Sequence, residues 1–556
     1  MDLGLGPGRG APLREQPVAA ITLALLTLVC LAGCQSPEPF RTTGVSAGGE
    51  ALFLAGVASV EYTPEAGYPL GGYGGGERRA ELPFYAGVGW PGHIALACHQ
   101  SWHEDDPDGK SDMLNPATGA DEPLTAKALV LRPDGQPPFA FVRIDAIGVT
   151  SELHDLALEQ LGDLGFRRET LVLAATHTHS GPGAFFRMPI GRLIGMDNFR
   201  PELEAKIASA IARAVRTAYD EARPAALGFG RARDRRPDGQ TIVAKNRRFR
   251  RFREEIAYDE VDDEVGLLYV TEREDRSKPI ALLVNYAVHS TVYGSDHLRF
   301  STDLAGGLER GLEAALGAPV LFFNGAEGDI APRRGQKNDP PGRCEELGIL
   351  FAEVVTPTLS GIELSETVQI TAATGDKQLG SPQGVVALGR ERFLDSYRGW
   401  ASWPMELFTL PFNLILWTTG LTNVRIVLTW NFGLGIVAHL GNLTPRTTTR
   451  VGAVRLRAGP HDVSLVTFPG EATHDVGLEA RARAKARGAT QSLIVGLALD
   501  HVAYLASPKE YRRGGYEAHS TLFGEHTATQ ILDSQEVLLD ALGWTPSESS
   551  SSAPPK

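Results

Sequence analysis

Between residue 51 and about residue 542 the chain alternates short continuous apolar runs with longer amphipathic stretches. Within 202–222, Leu203, Ile207, Ile211 and Ala214 recur at helical spacing, which predicts a helix with one buried stripe. Residues 170–175, 280–286, 320–324, 463–468 and 492–497 are unbroken apolar runs, as expected of strands covered on both faces. Such runs separated by helical stretches predict an α/β fold: one large domain of mixed β-sheets flanked by helices.

Polar chemistry follows each predicted strand. The first runs into His177-Thr178-His179-Ser180-Gly181-Pro182-Gly183, the second into His289, and the third into Gly325-Ala326-Glu327-Gly328-Asp329-Ile330-Ala331-Pro332. After the fourth comes Pro469-Gly470-Glu471, and after the fifth Asp500, His501 and Tyr504. In open α/β sheets the ligand crevice lies beyond the carboxyl ends of the strands, so these residues would share one rim. Imidazole and carboxylate oxygen are good zinc ligands. Extended backbone would point His177 and His179 to one side, with Thr178 opposite. Singly, each has a plain structural reading: a His-x-His pair on a surface, His289 as a satisfied core histidine, Glu471 as a carboxylate opening a helix. Their combination is harder to dismiss. No His-Glu-x-x-His pattern is present, and spacing alone does not name a reaction.

Composition narrows the classes. Across 556 residues, 54 Lys+Arg against 67 Asp+Glu give a net charge of −13, a poor match to a nucleic-acid binder that must neutralise phosphates. Four cysteines are too few for a disulfide scaffold. At the N-terminus Arg9 and Arg14 precede the apolar run 18–30, which ends in Leu31-Ala32-Gly33-Cys34. That run is short for a bilayer span of about 20 residues and has the length of a signal-peptide core. Small residues before a cysteine fit a bacterial lipobox; an ordinary secretory signal is the competing reading. The expectation is a lipoprotein signal over 1–33, lipidation of Cys34, export to the bacterial cell envelope and membrane attachment through the lipid. Residues 34–50 read as a linker and 546–556 as a frayed tail. Cys98 and Cys344 would then be the remaining candidates for a disulfide.

The motifs resemble the catalytic domain of the neutral/alkaline non-lysosomal ceramidases over about 51–545. The resemblance is carried by Val60-Glu61-Tyr62-Thr63-Pro64, Leu70-Gly71-Gly72-Tyr73-Gly74 and Ala126-Lys127-Ala128-Leu129-Val130, and above all by the His177–Gly183 segment. Asn285-Tyr286-Ala287-Val288-His289, Pro469-Gly470-Glu471, Ser507-Pro508-Lys509-Glu510-Tyr511, Tyr516-Glu517-Ala518 and Ser520-Thr521-Leu522-Phe523-Gly524 continue it in family order. It implies one zinc per chain held by His179, His289, Glu471 and Tyr504, with His177 beside the metal. It also implies hydrolysis of the N-acyl amide of ceramide or a similar lipid amide. The family's Gly-Asp-Val-Ser-Pro serine is replaced here by Ala331, which excludes a serine-acyl intermediate at that position. Attack by a zinc-activated water is left, with Asp329 or His177 relaying protons. Arg247 sits where the family has Asn-Arg-Ser-Pro, and with Tyr516 it would contact substrate. The alternatives are a non-catalytic lipid-binding envelope lipoprotein, or a zinc hydrolase of a soluble amide or ester.

Several features have plainer readings. Trp400, Trp403 and Trp417 lie in the apolar stretch 400–421, which reads as buried packing or as a lipid-facing flap. The basic run 245–253 is followed by acidic 254–264, favouring local ion pairs. Gly71–Gly76 is a turn-forming loop, since no Gly-Lys-Ser/Thr follows. His99, His103, Glu104, Asp105, Asp106 and Asp108 read as a solvated insertion.

Overall fold

The structure, a computed structural model, describes residues 40–74, 76–78, 109–112, 114–188, 195–250, 252, 255–333, 335–379, 383–388, 424–428, 434–439 and 448–544. Cys34, Cys98, the 99–108 insertion, the tryptophan stretch and the tail lie outside these residues. Thirteen strands join in one sheet. They are β1 (Arg41–Ser46), β2 (Ala51–Glu61), β3 (Thr125–Pro133), β4 (Phe139–Ile144), β5 (Leu171–Ala175), β6 (Arg223–Arg233) and β7 (Glu264–Glu272). β8 (Pro279–Tyr286), β9 (Val320–Asn324), β10 (Thr367–Gln378), β11 (Thr448–Ala458), β12 (His461–Thr467) and β13 (Gln491–Val495) complete it.

The sheet is built of three pieces joined by short pairings. β2 meets β6 only at Leu54–Pro224 and Ala55–Arg223, and β10 only at Leu52–Thr367 and Ala51–Val368. One piece is β2 to β5, another β6 to β9, and the third β1 with β10 to β13. Each piece ends in a parallel pair: β4 with β5, β8 with β9, β12 with β13. Because side chains alternate along a strand, each piece has an inner and an outer apolar face. The inner faces meet in one core that includes Phe53, Leu129, Phe141, Leu227, Leu283, Phe323, Leu465 and Val495.

Each outer face is covered by helices, which is why these strands read as unbroken apolar runs. Helices α1 (Ser151–Glu159) and α2 (Pro201–Asp220) pack on the first piece through Leu153, Leu203, Ile207 and Ile211. α3 (Asp303–Leu316) and α4 (Pro340–Leu359) cover the second through Leu308, Leu312, Phe351 and Val355. α5 (His474–Ala486) and, after the short α6 (Pro508–Arg513) and α7 (Tyr516–His519), α8 (Thr527–Ala541) cover the third. The expected α/β architecture of a mixed sheet flanked by helices is therefore present.

Boundaries moved in three places. The helix expected at 202–222 starts at Pro201, whose fixed φ suits the first turn. Thr170 closes a single 3-10 turn, and β5 starts one residue later. Residues 41–46, inside the stretch expected to be a linker, form edge strand β1 against β10. That strand is mostly exposed or half-buried and carries no apolar run to announce it.

Candidate metal centre

The three parallel pairs deliver their carboxyl ends to one place. β5 ends at Ala175, and the backbone N–H of His177 then donates to Ala146 O at 3.0 Å, just beyond β4. After β8 the N–H of His289 donates to Ile330 O at 3.1 Å, fixing it to the loop that follows β9. Beyond β12 and β13, Glu471 and Tyr504 are direct register partners in a two-residue parallel pairing. Gly470 permits that pairing. It has φ +152°, and a Cβ on it would lie 2.2 Å from Ala503 O.

His177 takes φ +64°, so the backbone turns there and the extended geometry expected for the His-Thr-His segment does not hold. The two imidazoles still meet, with Nε2 atoms 3.3 Å apart. His177 Nδ1 lies 2.7 Å from Ile147 O, which assigns the Nδ1–H tautomer and leaves Nε2 a bare acceptor. His289 behaves likewise: Nδ1 lies 2.8 Å from Glu327 O and 3.0 Å from Ile330 O. Its Nε2 and that of His177 stand 3.2 Å and 3.4 Å from Glu471 Oε2. That oxygen has close neighbours, yet none approaches as a hydrogen-bond donor.

The charge states fit ligation. Burial, then the neighbouring imidazoles of His177 and His289, holds the His179 imidazole well below its ordinary pKa, and burial with Arg247 pulls His289 down to about 4. Burial pushes the Glu471 carboxyl up, but His177 and His289 outweigh it and keep the group well below the usual carboxylate range. Two bare imidazole nitrogens and an ionised carboxylate oxygen therefore face one another in a buried space. Like-polarity atoms so placed call for a cation. Zinc bonds of about 2.1 Å set tetrahedral donor–donor edges of about 3.4 Å, which is the spacing found here. The residues fit a zinc ion on donor chemistry and spacing alike.

Each expected site residue has a definite place. His179, expected as a ligand, reaches His177 and stacks on Tyr73 with ring centroids 4.7 Å apart. His177, expected beside the metal, is common to two groups of possible ligands: His177, half-buried His179 and His289, and the buried His177, Glu327 and Glu471. Tyr504 OH stands 3.5 Å from His289 Nε2, and burial holds its pKa well above the usual value. Arg247 donates to Tyr504 OH at 2.9 Å and to Glu517 Oε1 at 2.9 Å, and its Nη1 is 3.2 Å from His289 Nε2. The guanidinium thus supplies part of the positive charge the cluster needs. Exposed Tyr516 packs edge-on against Tyr504 and lies under Arg247.

Asp329, expected to relay protons, accepts from the His474 N–H at 2.8 Å at the start of α5 and lies 3.9 Å from Arg248. Within the basic run, Arg247 and Arg248 pair with Glu517 and Glu510, at 2.9 Å and 2.5 Å, in place of the expected local partners, while Arg251 and Arg253 lie outside the described residues. Glu327 was given no role by the sequence, although its motif marks the rim. Its oxygens are buried without a partner, and burial with nearby Glu471 raises its pKa well above the usual value. Ala331 lies in a ribbon, Ile330–Pro332 against Ala244–Asn246, next to this centre.

Similarity to known proteins enters at this geometry. Residues 108–326 match the family described as neutral/alkaline non-lysosomal ceramidase, N-terminal. That stretch, less than half of the chain, is similar to this family. It contains His177, His179 and His289, while Glu327, Glu471 and Tyr504 lie beyond it. A neutral ceramidase of Drosophila pseudoobscura pseudoobscura is 38% identical over 87 residues, 15% of this chain and 12% of that protein. The match thus spans about an eighth of that relative's length. Two solved structures share the fold. A ceramidase complexed with C2 gives a TM-score of 0.65, and the neutral ceramidase of Pseudomonas aeruginosa 0.64. Each is 19% identical and covers 91% of this chain and 77% of the other. The likeness to neutral/alkaline ceramidases expected from the motifs is therefore present in sequence and in fold.

Proposed function

We propose that the chain is a zinc-dependent hydrolase that cleaves the N-acyl amide of ceramide or a similar lipid amide. The observation that carries this reading is the facing of His177 Nε2, His289 Nε2 and Glu471 Oε2 at 3.2–3.4 Å. We assign His177, His289, Glu471 and Tyr504 as the donors and move His179 beside the metal. Zinc, when bound, supplies Lewis acidity to an acyl carbonyl and lowers the pKa of water to about 7.

The protein groups do the remaining work. Neutral His179, whose Nε2 faces the cluster beside His177, accepts a proton from the attacking water. Arg247, held by Glu517 and Tyr504, faces the charge that develops on the acyl oxygen. Tyr516 offers an exposed ring at the mouth of the site, where an amide substrate enters. With Ala331 in place of the serine, no hydroxyl at that position takes part. A signal over 1–33, a lipid on Cys34 and attachment to the cell envelope belong to the same proposal; among the described residues no helix is long and apolar enough to cross a membrane.

The test is fatty-acid release from N-acylsphingosine, compared with simple acyl amides and esters, alongside metal content. One zinc per chain and chelator-sensitive release from the lipid amide support the reading. Metal-free active protein ends it. Preference for a soluble ester retains the centre and replaces the substrate, and tight lipid binding without turnover points to a non-catalytic lipoprotein.

A further inference from the structure

Glu327 is the one acid at the centre that the donor assignment leaves unused. It is fully buried, and neither carboxylate oxygen has a hydrogen-bond partner. A buried carboxylate without a donor is costly to the fold unless something binds it. Its oxygens point at the cluster, since one ligand atom each from His177, Glu327 and Glu471 lie within 4.8 Å of one another. The backbone holds it there. Ile330 N–H donates to Glu327 O at 2.7 Å, and that same carbonyl lies 2.8 Å from His289 Nδ1. Opposite, Gly496 leaves the room the side chain occupies: a Cβ there would stand 2.7 Å from Glu327 Oε2.

We propose that Glu327 is a further ligand of the metal, giving the ion a second carboxylate and a donor set larger than His177, His289, Glu471 and Tyr504. This rests on the metal reading above. One ion is implied, not two, because His177 has a single bare nitrogen: Nδ1 is committed to Ile147 O. A second carboxylate also balances charge. Glu471 and Glu327 together neutralise a divalent ion, while Arg247 is answered by Glu517.

The experiment measures zinc affinity by chelator competition and the visible spectrum of the cobalt-loaded protein, without reference to turnover. Glu327→Gln keeps the shape and removes the charge. Zinc affinity should fall on the order of 100-fold, and the cobalt bands should strengthen as the coordination number drops. The metal-free variant should unfold at the wild-type temperature or above, because the unpaired carboxylate is gone. If Glu327→Gln does not fold, Glu327→Asp, which keeps the charge and withdraws it by one methylene, should weaken zinc in the same direction. Wild-type affinity and an unchanged cobalt spectrum in the folded variant overturn the proposal, as does lost turnover with unchanged affinity, which would make Glu327 a proton-transfer group. His289→Ala separates the two levels. If it also leaves affinity unchanged, the metal reading itself has failed; if it alone releases zinc, only the Glu327 assignment has.

Discussion

Exchanging the two histidines of the His-Thr-His segment tests the assignment that most changed between sequence and structure. His177 touches Glu471 and His179, and its Nδ1 is tied to Ile147 O; His179 touches His177 and Tyr73. Structural zinc sites bind with apparent free energies of about 10–16 kcal/mol over four ligands, so one ligand is worth roughly 3–4 kcal/mol. His177→Ala should therefore weaken zinc by roughly 100- to 1,000-fold, and His179→Ala by no more than about tenfold, at 1.4 kcal/mol per decade. The assay is thermal unfolding against free zinc. Zinc at 100 times the wild-type Kd adds about 2.7 kcal/mol, and the same concentration adds less than about 0.5 kcal/mol once Kd has risen 100-fold. His177→Ala should thus show almost no zinc-dependent rise in Tm at that concentration, while His179→Ala keeps about half of it or more. The reverse order would refute the reasoning and restore His179 as the ligand.

Three further outcomes follow from other parts of the structure. Ala331→Ser should change kcat for fatty-acid release by less than about tenfold, because hydrolysis here uses no hydroxyl at that position; an inactive wild type that gains turnover with serine would sink the serine-free route. Burial raises the Asp303 carboxyl to about 6, against hydrogen bonds from the Val292 and Tyr293 N–H groups. The folded state thus keeps a proton that the unfolded chain has lost, a stabilisation present at low pH and lost as pH rises from about 4 to about 6. Urea melts should show the stability difference between wild type and Asp303→Asn shifting by about 3 kcal/mol against wild type across that window; a pH-independent difference would contradict the burial argument. Arg143 is buried and binds Glu309 at 2.8 Å and 2.5 Å and Asp145 at 2.8 Å. Arg143→Met leaves Asp145 without its cation and Glu309 with Lys127 alone, at 2.7 Å, and should cost about 3–5 kcal/mol in denaturant melts, whereas a loss under about 1 kcal/mol would mean that Lys127 and the Thr125 hydrogen bonds suffice for the two acids.

The strands that carry the site were legible because helices cover their outer faces and the shared core their inner ones, leaving unbroken apolar runs such as 320–324 and 280–286. The grouping into three pieces was not legible, since the joins between them are two-residue contacts such as Leu54–Pro224 that leave no periodic mark. β1 failed for the complementary reason: an edge strand with one sparsely covered face has little apolar patterning to show. For the site, residue types and order were enough to place His289, Glu471 and Tyr504 together. The choice between His177 and His179 was not, because the expected alternation set both imidazoles on one side and only the resemblance favoured His179, whereas the approach of His177 Nε2 to Glu471 comes from the fold.

Glu327 shows the same limit from another side. Its motif was visible at the end of a predicted strand, but a carboxylate becomes a ligand candidate only when its other partners are absent. That condition depends on Gly496 in another piece of the sheet, where any side chain would contest the space. The pairing of Glu471 with Tyr504 depends in turn on Gly470, and the aim of His289 on the carbonyls of Glu327 and Ile330. The ligating letters can be read one strand at a time. The residues that let strand ends approach one another cannot, and in this protein they decide which of the available donors face one another.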